Sequence, residues 1–377
     1  MHDDQLRERF DRWAQPIHAT QPPPVPVLRR RARRRIIGRA TISGVLVAGV
    51  AVAAFALSGL PRVGNAVPPD VVTAPTAPPR YAVTLSHTFG DQAAEVLDME
   101  TGKITGRVTT PVANSDLEWV AAAADDRTFV LADQSQGLVY RFYLLHLAAN
   151  GKPGRLTLLS VPPLHGSQIY GMALTADASK LAVAWRNNPT SPLRSHISVT
   201  TLATGATRTW TSAQGIALTL SWAGDRTLAF DWVDTAREGR SGVRVLDTAA
   251  AGSNPLSSRL VIPVTTRKGP LWGPGNPLIT PDGSTLFVTM TNGLSGTETV
   301  LVSFSARTGT LKAVLTPTAA SQSQWYCGIL WTDSRGKHVL FQCGTVQASI
   351  DAGRYTRIHL PRLIPAPQVG WANVFAW

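Results

Sequence analysis

The chain has 377 residues, with 31 Gly and 27 Pro but only 16% charged residues. This composition is typical of proteins built from strands and tight turns rather than helices. The net charge of +12 is concentrated at the N-terminus, where residues 1–40 contain ten Arg and four acidic residues. No basic stripe with interleaved aromatic residues follows this segment, so we expect no nucleic-acid partner.

Residues 1–39 are predicted to form a cytoplasmic tail. Near its start, four apolar residues recur at helical spacing: Leu6, Phe10, Trp13 and Ile17. This pattern predicts a short amphipathic helix, which either lies on the inner membrane surface or docks a cytoplasmic partner. The second option would make the protein a transmembrane regulator that signals through residues 1–28.

Residues 40–60 form an uncharged, strongly apolar segment. A helix needs about 20 apolar residues to cross the hydrocarbon core of a bilayer. Residues 29–39 contain seven Arg, and such clusters are retained on the cytoplasmic side. We therefore predict a single transmembrane helix, an uncleaved signal-anchor that leaves the rest of the chain outside the cell membrane. A signal peptide cleaved near the small residues 64–67 is the alternative.

The segment that follows, residues 61–80, is rich in Pro, Thr and Ala and has no periodicity. Such a composition is typical of an extended linker. We interpret it as a stalk that carries an ectodomain formed by residues 81–377.

The ectodomain contains a repeated unit of two apolar strands joined by a tight polar turn. Its clearest copies are WVAAAADDRTFVLA (119–132), GMALTADASKLAVAW (171–185), LTLSWAGDRTLAFDW (218–232), NPLITPDGSTLFVTM (276–290) and GILWTDSRGKHVLFQ (328–342). The turns recur at intervals of 47 to 58 residues. A Gly follows 27 to 29 residues after each of the first four turns: Gly151, Gly205, Gly252 and Gly309. Because Gly adopts the positive φ that a hairpin reversal needs, each unit is predicted to contain four antiparallel strands.

The motif TPDGSTLFV at residues 280–288 resembles the WD40-like and TolB-like β-propeller repeat, and the hairpin DMETGKITG at residues 98–106 resembles the outer turn of such blades. The resemblance covers residues 81–377 and implies an all-β propeller. It does not imply one function, since these families include scaffolds, receptors, periplasmic assembly factors and some lyases. The GH…WD signature of the strict WD40 family is absent. Two tandem β-sandwiches are the competing fold.

The two ends of the ectodomain predict how the propeller closes. Five complete units begin near residues 117, 169, 216, 275 and 325, whereas residues 81–110 supply three strands with no strand before them. The chain ends with GWANVFAW (370–377), one strand with nothing after it. We therefore predict a six-bladed propeller whose first blade takes three strands from residues 81–110 and one from the C-terminus. Such closure removes two exposed sheet edges.

The chain has two cysteines, Cys327 and Cys343, placed symmetrically about the turn at residues 333–337. A hairpin in that register would place them opposite each other, within reach of a disulfide. The predicted location outside the membrane favours the disulfide over two reduced thiols.

We find no catalytic, cofactor-binding or metal-binding motif, and the His residues are scattered among different repeats. In a propeller, the loops that enter the first strand of each blade surround one mouth of the central channel. Their polar and aromatic residues form a candidate binding face: Ser115, Asp116, Ser167, Gln168, Gln214, Trp272, Ser323 and Gln324. The sequence therefore favours a non-catalytic module that binds a protein or small ligand. A propeller-type lyase or cyclase is the alternative, which a metal or clustered acid and base groups at the mouth would favour.

Overall fold

The computed structural model describes residues 79–85, 93–135, 138–187, 194–234, 237–264, 271–292, 298–314, 327–332, 338–343, 346–351, 354–358 and 375–376. The predicted tail, the predicted transmembrane helix and nearly all of the predicted stalk lie outside these ranges. Within them, no helix is long and apolar enough to cross a membrane.

The described residues form six antiparallel sheets. Sheet 1 contains β1 (Tyr81–Leu85), β2 (Ala93–Asp98) and β3 (Lys103–Thr109). Sheet 2 contains β4 (Ser115–Ala122), β5 (Thr128–Ser135), β6 (Val139–His146), β7 (Thr157–Leu158) and β8 (Leu164–His165). Sheet 3 contains β9 (Ser167–Leu174), β10 (Lys180–Asn187), β11 (Ser195–Thr201) and β12 (Thr207–Ser212).

The second half of the fold repeats this arrangement. Sheet 4 contains β13 (Ile216–Ala223), β14 (Thr227–Val233), β15 (Gly242–Asp247) and β16 (Arg259–Pro263), with two 3-10 helices, Glu238–Arg240 and Pro255–Ser257. Sheet 5 contains β17 (Leu271–Ile279), β18 (Thr285–Asn292), β19 (Glu298–Ser305) and β20 (Leu311–Val314). Sheet 6 contains β21 (Cys327–Thr332), β22 (His338–Cys343), β23 (Val346–Asp351) and β24 (Arg354–Ile358).

The last strand, β25 (Phe375–Ala376), belongs to sheet 1, where it pairs antiparallel with β1. Val83 lies opposite Ala376, and Thr84 lies opposite Phe375. This is the pairing that the predicted closure requires. The strand order β25-β1-β2-β3 matches the order of the sheets that begin with β9, β13, β17 and β21. We use "first strand" for β25, β4, β9, β13, β17 and β21.

The core is divided into layers, each of which lies between two consecutive sheets. One cluster of buried apolar residues joins sheets 1 and 2, and three further clusters join sheets 2 and 3, sheets 3 and 4, and sheets 4 and 5. The second strands therefore bury both of their faces: along β10, Leu181 and Val183 face sheet 2 whereas Ala182 and Ala184 face sheet 4. This two-sided burial explains why these strands are runs of apolar residues rather than alternating patterns.

The turn between the first and second strands explains the repeated motif. In TPDGST, the Thr280 amide and the Thr285 carbonyl bond at 2.9 Å, and the Asp282 carboxylate accepts from the Thr280 hydroxyl and from the Ser284 amide. Gly283 has φ +70°. Burial acts to raise the pKa of Asp282, but these hydrogen bonds hold it below its usual value. The three residues thus have different roles in the turn. Thr280 donates its hydroxyl to Asp282, Asp282 accepts from the Ser284 amide, and Gly283 supplies the positive φ.

Two degenerate copies of this turn keep hydrogen bonds of the aspartate. In TADASK, the Asp177 carboxylate accepts from the Thr175 hydroxyl and the Ser179 amide, and Ala178 occupies the glycine position with φ 56°. In sheet 2 the Asp125 carboxylate accepts from the Thr128 amide at 2.8 Å. The aspartate is common to these three turns, where its oxygens accept from amides that the reversal leaves unpaired, whereas Gly224 occupies this position in sheet 4.

The predicted turn glycines also lie where neighbouring sheets meet. Gly151, Gly205, Gly252 and Gly309 all have positive φ. Outer-strand side chains of one sheet bind the carbonyl groups of the corresponding turn in the next sheet. Arg208 donates to the Thr248, Ala250 and Gly252 carbonyl groups at 2.6–2.8 Å, and Arg259 donates in the same way to the Ala306 and Arg307 carbonyl groups.

For Cys327 and Cys343 the structure describes the backbone but not the side chains. Cys327 lies directly opposite Cys343 in the register of β21 and β22, as the sequence predicts. The disulfide itself stays a prediction.

Two glycines with nearly the same φ test the packing between sheets. A Cβ added to Gly309 (φ +68°) would lie 2.1 Å from the Val261 carbonyl oxygen of sheet 4, whereas one added to Gly283 (φ +70°) would meet only Ala223 Cβ at 3.6 Å. We expect Gly283→Ala to cost about 1 kcal/mol through its backbone conformation. Gly309→Ala should cost roughly a further 1–3 kcal/mol, because the sheets must move apart. Urea unfolding measures both, and equal losses would contradict this packing.

Candidate functional site

The predicted binding-face residues lie at equivalent positions, where the first strands begin. Asp116 and Gln168 are the second residues of β4 and β9, Gln214 lies two residues before β13, and Trp272 is the second residue of β17. Gln324 lies outside the described residues, as does Ser323. For Trp272 the structure describes the backbone but not the side chain.

The two described serines of this set serve the fold. Ser115 is buried, and its hydroxyl donates to the Asp133 carboxylate at 3.0 Å. Thr110 donates to the same carboxylate oxygen at 3.0 Å, so this network anchors the loop between sheets 1 and 2. Ser167 is also buried and donates to the His165 carbonyl at 3.0 Å. The role of both serines in binding stays a prediction.

The other members of the set present polar atoms near the surface. Gln168 is exposed, and its side-chain carbonyl accepts from the Tyr170 hydroxyl at 2.9 Å. Gln214 is exposed and accepts from Arg240 at 3.1 Å. Asp116 is partly exposed, and burial raises the pKa of its carboxyl.

The structure adds a feature that the sequence does not reveal: a β-bulge in each of five first strands. In four of these strands the extra residue lies at nearly the same level, and it is Glu118, Tyr170, Thr219 or Leu330. In β17, Asn276 and Pro277 together lie opposite the single residue Val288, and a second irregularity lies between Trp272 and Pro274. A bulge turns a side chain away from the regular alternation of a strand. We call Glu118, Tyr170, Thr219 and Asn276 the bulge arc. Leu330 is left out because the structure describes only its backbone.

Direct contacts connect one end of the arc. The Thr219 hydroxyl donates to the side-chain oxygen of Asn276 at 3.1 Å, which joins β13 to β17. On its other side, β13 approaches β9 so closely that a Cβ on Gly171 would lie 3.0 Å from the Thr219 amide nitrogen. Gly171, which follows Tyr170, is therefore needed for these two first strands to meet.

A tyrosine from sheet 2 connects the other end. The Tyr140 hydroxyl donates to the Glu118 carboxylate at 2.9 Å and accepts from the side-chain amide of Gln134. It also accepts from the Ile169 amide, which lies beside Tyr170 on β9. The arc is thus continuous from sheet 2 to sheet 5.

Burial perturbs the acidic groups at this end. It raises the pKa of Glu118, and the Asp116 charge raises it further, while the hydrogen bond from Tyr140 acts in the opposite direction. Burial, reinforced by the Glu118 charge, raises the pKa of Tyr140 well above its usual value. Such shifts are common in binding and catalytic sites, although structural networks produce them too.

Two members of the arc have an unusual backbone. Thr219 has φ 26° and Asn276 has φ 47°. Asn tolerates this region, but a β-branched residue there is a genuine outlier. The bulge at Asn276 could be suspected from the sequence, since Asn is enriched at positive φ, whereas nothing in the sequence around Glu118, Tyr170 or Thr219 indicates theirs.

Asp231 is a further acidic group in the neighbouring part of sheet 4. It lies on β14 opposite Leu218, the residue before the Thr219 bulge. Burial raises the pKa of Asp231 to about 7, and a hydrogen bond from the Trp232 amide only partly offsets this. No group of three or more His, Cys, Asp or Glu side chains in the described part of the chain could hold a metal ion.

Comparisons with known proteins support the fold. No protein-family model and no curated protein sequence matches the chain. The solved structure of TolB from Acinetobacter baumannii is 14% identical with a TM-score of 0.50, and the match covers 76% of this chain but only 64% of TolB, less than two thirds of its length. The chain folds as a β-propeller similar to that of TolB. At this identity the likeness shows the fold alone.

Two other solved structures match less well. An oligogalacturonate lyase in complex with manganese is 13% identical with a TM-score of 0.46, over 78% of this chain and 81% of the lyase. The β-propeller domain of Cps50 (Swd1) from Myceliophteria thermophila is 11% identical with a TM-score of 0.40, over 71% of this chain and 79% of that domain.

The raised pKa of Asp231 predicts a pH-dependent stability. A carboxyl whose folded pKa is about 7 stabilises the fold fully below its unfolded pKa of about 3.9, and this contribution is lost as the pH rises through 7. Asp231→Asn should therefore gain roughly 1–3 kcal/mol relative to the wild type between pH 4 and pH 8. Asp225→Asn is the control, because the exposed Asp225 is ion-paired with Lys180. Parallel pH profiles of unfolding for Asp231→Asn and the wild type would contradict the prediction.

Proposed function

We propose that the protein is a single-pass membrane protein that presents a non-catalytic β-propeller outside the cell and binds a protein partner at the end where the first strands begin. The propeller has six blades, and its first blade is closed by the C-terminal strand. The bulge arc, together with the exposed side chains of Gln168 and Gln214, forms the contact surface.

The bulge arc is the observation that carries this proposal. At the strand ends, the buried polar side chains of Ser115 and Ser167 support neighbouring loops. The arc instead keeps hydrogen-bonding side chains at four successive bulges, two of them at positive φ. Clustered polar groups at the mouth of a rigid scaffold are suited to recognition.

Membrane anchoring rests on the sequence. The apolar segment 40–60 is long enough to cross a bilayer, and the Arg cluster of residues 29–39 orients its N-terminus toward the cytoplasm. The stalk of residues 61–80 would separate the propeller from the membrane surface.

Protease added to intact cells should release a fragment that contains residues 81–377, and a protected propeller would contradict this orientation.

A lyase or cyclase activity is the second candidate. The observation that favours it is the group of Asp116, Glu118 and Tyr140, in which burial raises all three pKa values. A carboxyl with a raised pKa is a suitable general acid. Among the residues that the structure describes, no group of three or more His, Cys, Asp or Glu side chains accompanies them that could hold a metal ion.

Site-specific photo-crosslinking on intact cells tests the binding role. A photoreactive residue at Gln168 or Gln214, which are both exposed, should capture one specific protein. The control is Thr204, which is exposed at the Gly205 turn, at the other end of its sheet. Capture from Thr204 alone, or the same proteins from all three positions, would contradict the proposal. Capture from none would favour the enzyme or a small-molecule ligand.

A further inference from the structure

Three arginines, Arg237, Arg240 and Arg244, lie close together where the chain passes from β14 to β15. The Arg240 amide donates to the Arg237 carbonyl at 2.9 Å, and the Arg244 side chain donates through Nη2 to the Arg240 carbonyl at 3.2 Å. The last residue of β14, Val233, pairs with Ile216, the first residue of β13. The three arginines, which we call the arginine group, therefore lie at the end of sheet 4 where its first strand begins.

Arg244 is a buried charge whose hydrogen-bond partners are neutral. It is only 6% exposed, and its Nη1 donates to the Leu256 and Ser258 carbonyl groups at 3.3 and 2.9 Å. Its Nε is buried and has no hydrogen-bond partner. Carbonyl groups satisfy donors but bring no full negative charge, and a buried charge is costly unless an opposite charge accompanies it.

The charges near Arg244 leave an excess of positive charge. Burial lowers the pKa of Arg244 and the Arg240 charge lowers it further, whereas the Asp234 charge acts in the opposite direction. Residues 234–244 contain the three arginines but only two acidic residues, Asp234 and Glu238. In the part of the chain that the structure describes, no member of the arginine group forms an ion pair.

Arg240 brings this charge to a residue of the predicted binding face. Arg240 is partly exposed, and its Nη1 donates to the side-chain carbonyl of Gln214 at 3.1 Å. The loop that carries Gln214 is fixed, because the Ser212 hydroxyl accepts from the Gln214 amide at 3.1 Å and donates to its carbonyl at 2.9 Å. A carboxylate in place of this neutral acceptor would form a shorter and stronger, charge-assisted bond with the guanidinium.

We infer that the arginine group binds an anion, namely the carboxylate of an acidic side chain of the protein partner. This inference rests on the proposed function and specifies the chemistry of the partner next to Gln214. Arg240 and the exposed Arg237 contact the carboxylate, and the buried Arg244 contributes its charge from the interior.

The test measures binding of hexaglutamate to the full chain by calorimetry, with hexalysine as the comparison ligand. Arg240→Gln removes the charge but keeps a hydrogen-bond donor, and we expect it to weaken hexaglutamate binding about tenfold. Arg226→Gln is the matched control, because it removes the same charge from an exposed arginine paired with Asp247. It should change binding less than twofold.

Arg237→Gln separates binding from folding. The Arg237 side chain is exposed and makes no hydrogen bond within the described residues, so the variant should keep the Tm of the wild type. We expect it to weaken hexaglutamate binding roughly threefold, as for an exposed ion pair. Wild-type affinity in both Arg237→Gln and Arg240→Gln would overturn the inference.

Two further outcomes would also overturn it. Hexalysine binding as tight as that of hexaglutamate, or equal effects of Arg240→Gln and Arg226→Gln, would show that no anion site exists at the arginine group. Displacement of hexaglutamate by an equal or lower concentration of inorganic phosphate would assign the site to a phosphate group rather than to an acidic side chain.

The outcomes separate this inference from the proposed function. Crosslinking from Gln214 to one specific protein, without hexaglutamate binding, would support the protein partner and contradict the anion site. Hexaglutamate binding that Arg240→Gln weakens, without crosslinking from Gln168 or Gln214, would support the anion site and contradict the protein partner.

Discussion

Sheets 2, 3 and 4 each have two apolar faces and therefore need a neighbour on both sides. The buried clusters between sheets 1 and 2, 2 and 3, 3 and 4, and 4 and 5 meet this need for the middle of the chain. Every residue of β1 is buried, although it follows the predicted stalk directly. In sheet 1, β25 pairs with β1, which places residues 375–376 beside residues 83–84.

Because apolar packing occupies both faces of these sheets, polar side chains are most easily accommodated in turns, at strand ends and at irregularities. The turns use their polar groups internally, as Asp282 and Asp177 show by accepting bonds from their own turn amides. The strand ends and the bulges then remain as places for polar side chains outside the turns. This constraint explains why the candidate site is built from single residues on successive first strands rather than from one motif in the sequence.

The sequence predicted the elements that depend on local periodicity and turn chemistry. Apolar runs located the second strands, the turn motif located the reversals, and the positive φ of Gly151, Gly205, Gly252 and Gly309 follows from their spacing. The opposition of Cys327 and Cys343 was also predictable, because register follows from the midpoint of a hairpin. These features involve residues that are close in the sequence.

The site was predictable only in part. Asp116, Gln168 and Gln214 were predicted from their place before or at the start of a first strand, and their role in binding stays a prediction. The same reasoning included Ser115 and Ser167, whose partners Asp133 and His165 come from contacts that the sequence does not show. The bulge arc was missed because, apart from the Asn at position 276, an extra residue in these strands leaves no compositional trace.

The most direct test of the predicted closure is removal of residues 370–377. We predict that the truncated chain loses cooperative unfolding of residues 81–377, whereas the same Tm and cooperativity as the intact chain would contradict the account.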